Sequence, residues 1–582
     1  MPERALRPVS PPPASDPRPS FRGRTFELVS FRLGELPIVD RYFERLHLEQ
    51  ILTARLPTSP TTHQSYVRCL LVLLRNLLVA REPLYGVPTW AEPYRPDLLG
   101  LAPEEVPLLN DDRFGRALDA LFDSDRASLL TEVVVRAVRE FDLKLDRFHN
   151  DSTTLTLQGL YRRADGRTVR GKRTAKAARG HNKDHRPDLK QLLWILTISA
   201  DGAVPVHYRV VDGNTNDSPT HRESWEAMFT LRADPDFLYV ADSKLCDGDT
   251  LKFIDGKGGR FLTVLPRNRK EDPLFRAYAQ SHELTWETVR ERANPRNQAR
   301  SRDVWKMMES PLPSGDGFRL VWVWNSLMAE EDLESREERI ARAITGLEDL
   351  EKRLQSPKTK LRTRARVEKA AEKAVGSHAL RWVGWEVREE KVETFRQERR
   401  GRPGKDTRFR RQVRTRFHVA PRPKEEAIAY DAKTDGMFPL LTNERKLSLK
   451  ELLEAYHYQP RLEKRHEQLK TVLKARPALL KNIDRLEALF FLYFLALLVE
   501  SLLEREVRRA MEKEGLEDVP LYPEGRADPA PTADMILGAF GRLETHRLRL
   551  NGQELEVFEP VLTAQQKQLL HLAGVPETAY TP

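Results

Sequence analysis

Around Phe148 the apolar residues of this chain change period, and that change constrains the fold more than any other feature. Before it, helical periodicity dominates: 37–56 is amphipathic, and 65–81 is apolar enough to form the core helix of an N-terminal domain. After it come short β-rich runs at 152–161, 192–199, 204–211, 237–241 and 261–265, with helices at 220–231 and 248–254 between the later ones. Strands followed by strand–helix alternation predict a mixed sheet flanked by helices, and so an α/β core.

The pattern breaks off after Pro266 and resumes near Asp435. In between, Ile340, Ile344, Leu347, Leu350 and Leu354 recur at helical steps, Pro357 interrupts, and 361–375 is helical again, which predicts a helical hairpin. Residues 382–419 then alternate β-type residues with arginine. The chain re-enters the core through a strand at 437–441, helices at 448–456 and 460–473, and an apolar helix at 483–512. The expected segments are a disordered Pro-rich tail (1–24), a helical N-terminal domain (25–145), a first core part (146–266), an insertion (267–430), a second core part (431–515) and a loop-rich C-terminal segment (516–582).

With 582 residues, 40% hydrophobic and 32% charged, the chain can bury roughly three or four domain cores. Its net charge of +10 favours an anionic partner, and the basic residues cluster. Residues 161–190 hold eleven Lys or Arg against three Asp, and 396–416 hold ten against two acids. Such clusters either follow a phosphate backbone or are solvated strand edges. Cys69 and Cys246 are the only cysteines, which excludes a disulfide framework and a Cys-based zinc site and fits a reducing compartment. No signal peptide is expected. The apolar run 488–499 between Glu487 and Glu500 is shorter than the ~20 residues a bilayer requires, so a buried helix of a soluble protein without membrane partners is expected.

Asp151 is placed at the start of one predicted strand and Asp242 at the end of another, while Glu463 lies on a helix. Three carboxylates delivered by two strands and a helix suit a pair of divalent cations around a phosphodiester. Singly, each aspartate also reads as a turn or cap residue, and Glu463 as a surface glutamate. Asn110, Asp111 and Asp112 ahead of a helix at 114–122 read as an N-cap rather than as ligands.

The ordered set of His149-Asn-Asp151-Ser, Gly180-His-Asn-Lys-Asp-His-Arg-Pro-Asp-Leu-Lys-Gln191, Asp212-Gly-Asn-Thr-Asn-Asp217, Val240-Ala-Asp242-Ser, Asp435-Gly436 and the 456–470 helix resembles bacterial insertion-sequence transposases of the DDE class. The resemblance covers about residues 35–510; its N-terminal portion, 35–122, is similar to a domain often found ahead of such cores. It implies a ribonuclease-H-like core with Asp151, Asp242 and Glu463 as the catalytic, metal-binding triad for two Mg2+ ions, Mn2+ substituting. It further implies Tyr456 and Lys470 as phosphate grips, Gln459 at the motif position where the family has arginine, and a homodimer acting on element ends and target DNA in the bacterial cytoplasm, nucleoid-associated when DNA-bound. Gln459 loses a bidentate donor, and Pro460 places Glu463 near the start of its helix, with Tyr456 presented from ahead of it. Rival readings are a metal-dependent nuclease that does not join strands and a DNA-binding protein whose catalysis has decayed.

Lys183, Arg186 and Lys190 read as DNA contacts or as a brace for the acidic site, and Arg400-Gly-Arg402-Pro as a minor-groove hook or a basic turn. Gly166-x4-Gly171-Lys172 is not a nucleotide loop, because Arg173 replaces the required Ser or Thr and no hydrophobic strand precedes it; no nucleotide cofactor is expected. His181 and His185 have zinc-like spacing amid cations that would repel the metal, and His466 reads as structural or as a proton relay.

Overall fold

The structure is a computed structural model describing residues 20–21, 24–57, 65–216, 218–294, 302–473, 480–522 and 524–581. Most of the expected tail, residues 1–19 and 22–23, lies outside the described residues, as does Asp217; Ser20–Phe21 form a short strand. The chain divides into two units, residues 1–261 with 457–582 and residues 262–456.

In the first unit, five α-helices, Leu36–Arg45, Leu48–Arg55, Tyr66–Val79, Asp111–Asp123 and Arg126–Phe141, form most of the N-terminal portion. Tyr66–Val79 is almost wholly buried and begins where the Ser65 side chain accepts a hydrogen bond from the Val67 N–H. Asn110 caps Asp111–Asp123 by accepting from the Arg113 N–H at 2.9 Å, the capping role its sequence position predicts. The portion is not purely helical. The strand Arg24–Arg32 pairs with Glu544–Leu550, which pairs with Gln553–Phe558, so the two ends of the chain share a sheet. The segment expected to be loop-rich therefore holds a hairpin, the helices Ala533–Gly538 and Ala564–Leu572, and a buried Tyr580 whose hydroxyl donates to the Gly34 carbonyl at 2.9 Å. Short elements broken by proline and glycine hide this from a periodicity search.

The central sheet of this unit is mixed: β1 (Arg147–Leu157) runs antiparallel to β2 (Lys190–Ser199), β2 antiparallel to β3 (Pro205–Asp212), and β1 parallel to β4 (Leu238–Ala241). Helix α1 (Ser218–Arg232) lies between β3 and β4 in sequence. β2 is buried from Gln191 to Ser199 and apolar from Leu192 to Leu196, as fits a strand covered on both faces.

The second unit carries the strands β5 (Arg260–Val264, from Leu262 on), β6 (Glu287–Ala293), β7 (Arg302–Glu309) and β8 (Arg319–Asn325), then helices α2 (Ser326–Gln355) and α3 (Arg364–Val375). A long ribbon of β9 (Val383–Gln397) and β10 (Phe409–Pro423) follows, then β11 (Met437–Thr442). β6, β7, β8, β11 and β5 form antiparallel neighbours in that order. This corrects the expected break in strand pattern after Pro266: β6 is almost wholly exposed, β7 is partly buried, and about half the residues of each are charged, a weaker signal than the buried β2. The helical hairpin occurs as expected, with Leu347, Leu350, Leu354, Val367, Ala371 and Val375 buried, although α2 starts earlier, capped by Asn325. Arg336 grips Asp435 with two hydrogen bonds of 2.7 and 2.6 Å, and Gly436 has φ +72°, so the Asp-Gly pair is a structural turn.

The chain then returns to the first unit through α4 (Gln459–Glu467) and α5 (Ile483–Glu514). α5 extends the expected apolar run to 32 residues, long and apolar enough by length and composition to cross a membrane, and its most apolar stretch is fully buried inside the unit. Glu500 on α5 is buried and accepts from Gln468 Nε2 at 2.5 Å; burial raises its carboxyl to about 8, with Arg81 opposing. The folded chain keeps this proton where the unfolded one, at about 4.5, has lost it, so the stability contribution is complete below pH 4.5 and gone above pH 8. Glu500→Gln is therefore expected to flatten the fall in melting temperature between those pH values, with an advantage over the parent of about 2 kcal/mol at pH 8, read from denaturation curves at several pH values.

Candidate active site

The last parallel pair between β1 and β4 is Asn150 with Ala241, so the next residues, Asp151 and Asp242, stand side by side where β4 ends. Adjacent strands lie about 4.8 Å apart, which brings the carboxylates into electrostatic contact. Asp151 lies within β1 rather than at its start, because the buried His149 and Asn150 already belong to the strand; Asn150 Nδ2 donates to Thr197 Oγ1 at 2.8 Å across to β2. Burial raises the Asp151 carboxyl to about 6; the Lys183 ammonium, 3.4 Å away, opposes this and the Asp242 charge adds to it. Asp242 is more exposed, accepts from the Lys244 N–H at 3.0 Å, and has the buried His221 Nε2 at 3.9 Å.

α4 docks on the same strand. Gln459 Nε2 donates to the Asn150 carbonyl at 3.3 Å, and Gln459 Oε1 lies 3.0 Å from His149 Nδ1. Farther along, Lys470 Nζ meets Asp184 Oδ1 at 2.7 Å, and the other Asp184 oxygen accepts from Thr156 Oγ1 on β1. Glu463, one helical turn beyond Gln459, lies between these anchors along the helix, level with the residues just after Asn150. Its side chain is exposed, and no group of three or more His, Cys, Asp or Glu side chains able to hold a metal ion occurs among the described residues. The register thus pairs the two aspartates, and the third acid is not gathered onto them.

The opposite face of α4 is fixed by Arg465, which sequence reasoning missed. Its guanidinium donates to the Ala203 and Gly202 carbonyls in the β2–β3 turn and pairs with Glu504 at 2.9 Å. His466 is buried with no hydrogen bond from any described residue to either ring nitrogen, and burial, with Lys183 and Lys470 adding, depresses it to about 3, so it is neutral.

The expected DNA contacts fall in several places. Lys183 points at Asp151 and the Ser152 carbonyl, Arg186 forms a two-point pair with Asp188, and Lys190 donates to the Tyr161 carbonyl at 3.2 Å. Of these, Lys183 ties the 180–191 segment to β1, as does Asp184 through Thr156, and Asp184 also receives Lys470. Asn182 Nδ2 donates to Gln191 Oε1 at 2.8 Å, and Gln191 Nε2 donates to the Gly213 carbonyl at 2.8 Å. Several cations of the first basic cluster are also paired, Arg170 with Asp123 and Asp484, and Arg173 with Asp212. Gly166 precedes a small hairpin, Thr168–Val169 with Lys172–Arg173, and Gly171 lies in its turn, with no helix following to receive a phosphate. Tyr456 belongs to the second unit, where it ends the helix Leu449–Tyr456 with its ring 5.7 Å from Phe438, so it is helical rather than in a loop. Arg400 and Arg402 are exposed at the tip of the β9–β10 ribbon, with Gly401 at φ +148°.

Residues 29–135 match a family model described as a domain of unknown function, DUF4277. No curated protein matches the chain. Six chains of solved structures are similar. One is the cryo-EM structure of the piggyBac transposase synaptic complex with hairpin DNA, at 8% identity and a TM-score of 0.33 over 94% of this chain and 79% of that one. So distant a likeness fixes neither fold nor activity.

Proposed function

We propose that the protein is a DDE-type transposase with a ribonuclease-H-like core, cleaving DNA at element ends and joining the freed 3′ hydroxyls to target DNA. The observation that carries this reading is the parallel register that sets Asp151 beside Asp242, with α4 seated on the same strand two residues upstream. Two adjacent carboxylates are hard oxygen donors of the kind magnesium or manganese takes, so Asp151 and Asp242 would hold the cation, with Glu463 completing the set from α4. Such ions, when bound, polarise the phosphodiester and favour ionisation of the attacking oxygen. Gln459 holds α4 to β1 and Arg465 holds it to the β2–β3 turn, anchors from which Glu463 would reach the aspartates in this reading. Lys183, 3.4 Å from Asp151, would offer an ammonium to a phosphate held beside the pair. A homodimer pairing two ends in the bacterial cytoplasm belongs to the same reading.

The test is joining. A labelled duplex carrying an element end already cut to a free 3′ hydroxyl is incubated with the full-length chain, Mg2+ and a supercoiled plasmid. Covalent attachment of label to plasmid is expected. Cleavage of uncut ends without attachment would replace the reading by a nuclease, and DNA binding with neither reaction would leave a DNA-binding protein.

A further inference from the structure

The β9–β10 ribbon has two chemically different faces. Residues paired across it share a face, and that face alternates along each strand. Val387, Phe417 and Val419 face the helical hairpin and are buried, which identifies the inner face. Beyond them the ribbon leaves the core: eight ladder pairs from Glu390↔Arg416 to Gln397↔Phe409 extend roughly 25 Å with almost every side chain exposed. On the continuation of the inner face the charges cancel, Glu389 and Glu393 against Lys391 and Arg411, with Arg411 pairing Glu393. The outer face carries Arg396, Arg408, Arg410, Arg414 and Arg416 against Glu390 and Glu398. Arg416 approaches Glu390 at 3.9 Å, while Arg396, Arg408, Arg410 and Arg414 form no ion pair with any described residue.

We infer that the outer face of this ribbon is a duplex-DNA-binding arm, its arginines seated on alternate phosphates along one groove. The inference rests on the reading that the chain acts on DNA and names the surface that holds it. Four guanidiniums without an ion pair on one face are costly to keep on a protein's own account, because Glu390 and Glu398 offset only part of their mutual repulsion. Arginines at two-residue steps recur about every 6.8 Å along a strand, a repeat of about two base-pair rises. A two-stranded ribbon is also the width that a major groove admits, and Thr394 and Gln412 between the arginines supply neutral donors and acceptors on the same face. The arm's free length is most of one duplex turn of about 34 Å.

The test separates face from charge. Arg410→Gln with Arg414→Gln removes two outer-face charges; Lys391→Gln with Arg411→Gln removes two from the inner face, and all four side chains are exposed. Binding of the full-length chain to a fluorescein-labelled 30-base-pair duplex of mixed sequence is followed by anisotropy between 100 and 300 mM salt. The outer-face pair is expected to weaken binding about tenfold or more and to reduce the salt slope by about two, and the inner-face pair to change affinity less than about twofold. Equal losses from both pairs, or no loss from the outer pair, would overturn the assignment. So would a change in sedimentation of the outer-face variant without a change in DNA affinity, which would give the face to a second copy of the chain. Joining by the parent protein, measured alongside, tells the two ideas apart. Face-specific binding without any reaction keeps the arm and sinks the transposase, while joining with no face difference does the reverse.

Discussion

Asp242→Asn is expected to reduce strand cleavage at least ~1,000-fold while leaving affinity for duplex DNA within about threefold. The substitution preserves shape and the hydrogen bond to the Lys244 N–H, since the retained amide oxygen can accept it. It removes one of the two charges that the β1–β4 register sets side by side. A cation held by Asp151 and Asp242 would lose part of its charge complement, whereas the arginines of the β9–β10 ribbon are unaltered. Two readouts make the result specific. Cleavage is measured over a magnesium and a manganese titration, and binding is measured without either ion. Cleavage by Asp242→Asn at the parental rate would remove Asp242 from the chemistry. A loss of binding in parallel with cleavage would point instead to a damaged fold, which the melting temperature would reveal.

The pair of aspartates was legible in the sequence because both adjoin strands, and strands of this length in an α/β alternation leave few arrangements. The neighbour relation needed only that β1 and β4 be parallel, and they are. What sequence could not give was the level of Asp151 on its strand. His149 and Asn150 look like the polar end of a loop, yet both are buried, one against Gln459 and the other against Thr197, so the strand starts earlier. Glu463 was legible as a helical residue, but its exposure and its separation from a three-ligand group depend on side-chain placement that no spacing encodes. The strands β6 and β7 escaped because about half their residues are charged, so the apolar period was diluted, and Arg465 escaped because its partners are backbone carbonyls of a distant turn.

Gly213→Ala is expected to destabilise the first unit by about 3 kcal/mol or more and to abolish the site with it. The reason is close backbone approach rather than conformation. A methyl group at Gly213 would lie 1.9 Å from the Gln191 carbonyl oxygen and 2.9 Å from that of Ala178, so the start of β2 or the turn after β3 must move. Neither can do so cheaply. The Gly213 N–H donates to the Lys176 carbonyl at 2.9 Å, and the Gln191 side chain donates to the Gly213 carbonyl. Through Asn182, Gln191 also fixes the loop in which Lys183 reaches Asp151 and Asp184 receives Lys470. Displacing Gln191 therefore loosens the cationic side of the aspartate pair as well as the sheet. Gly171→Ala is the control: Gly171 has φ +81° but nothing within 4 Å of a new methyl group, so only the left-handed backbone cost of about 1 kcal/mol applies. Chemical denaturation of the two variants should separate them clearly. Equal stability would mean that the Gln191–Gly213 contact yields easily and that the 180–191 segment reaches the aspartates without this support.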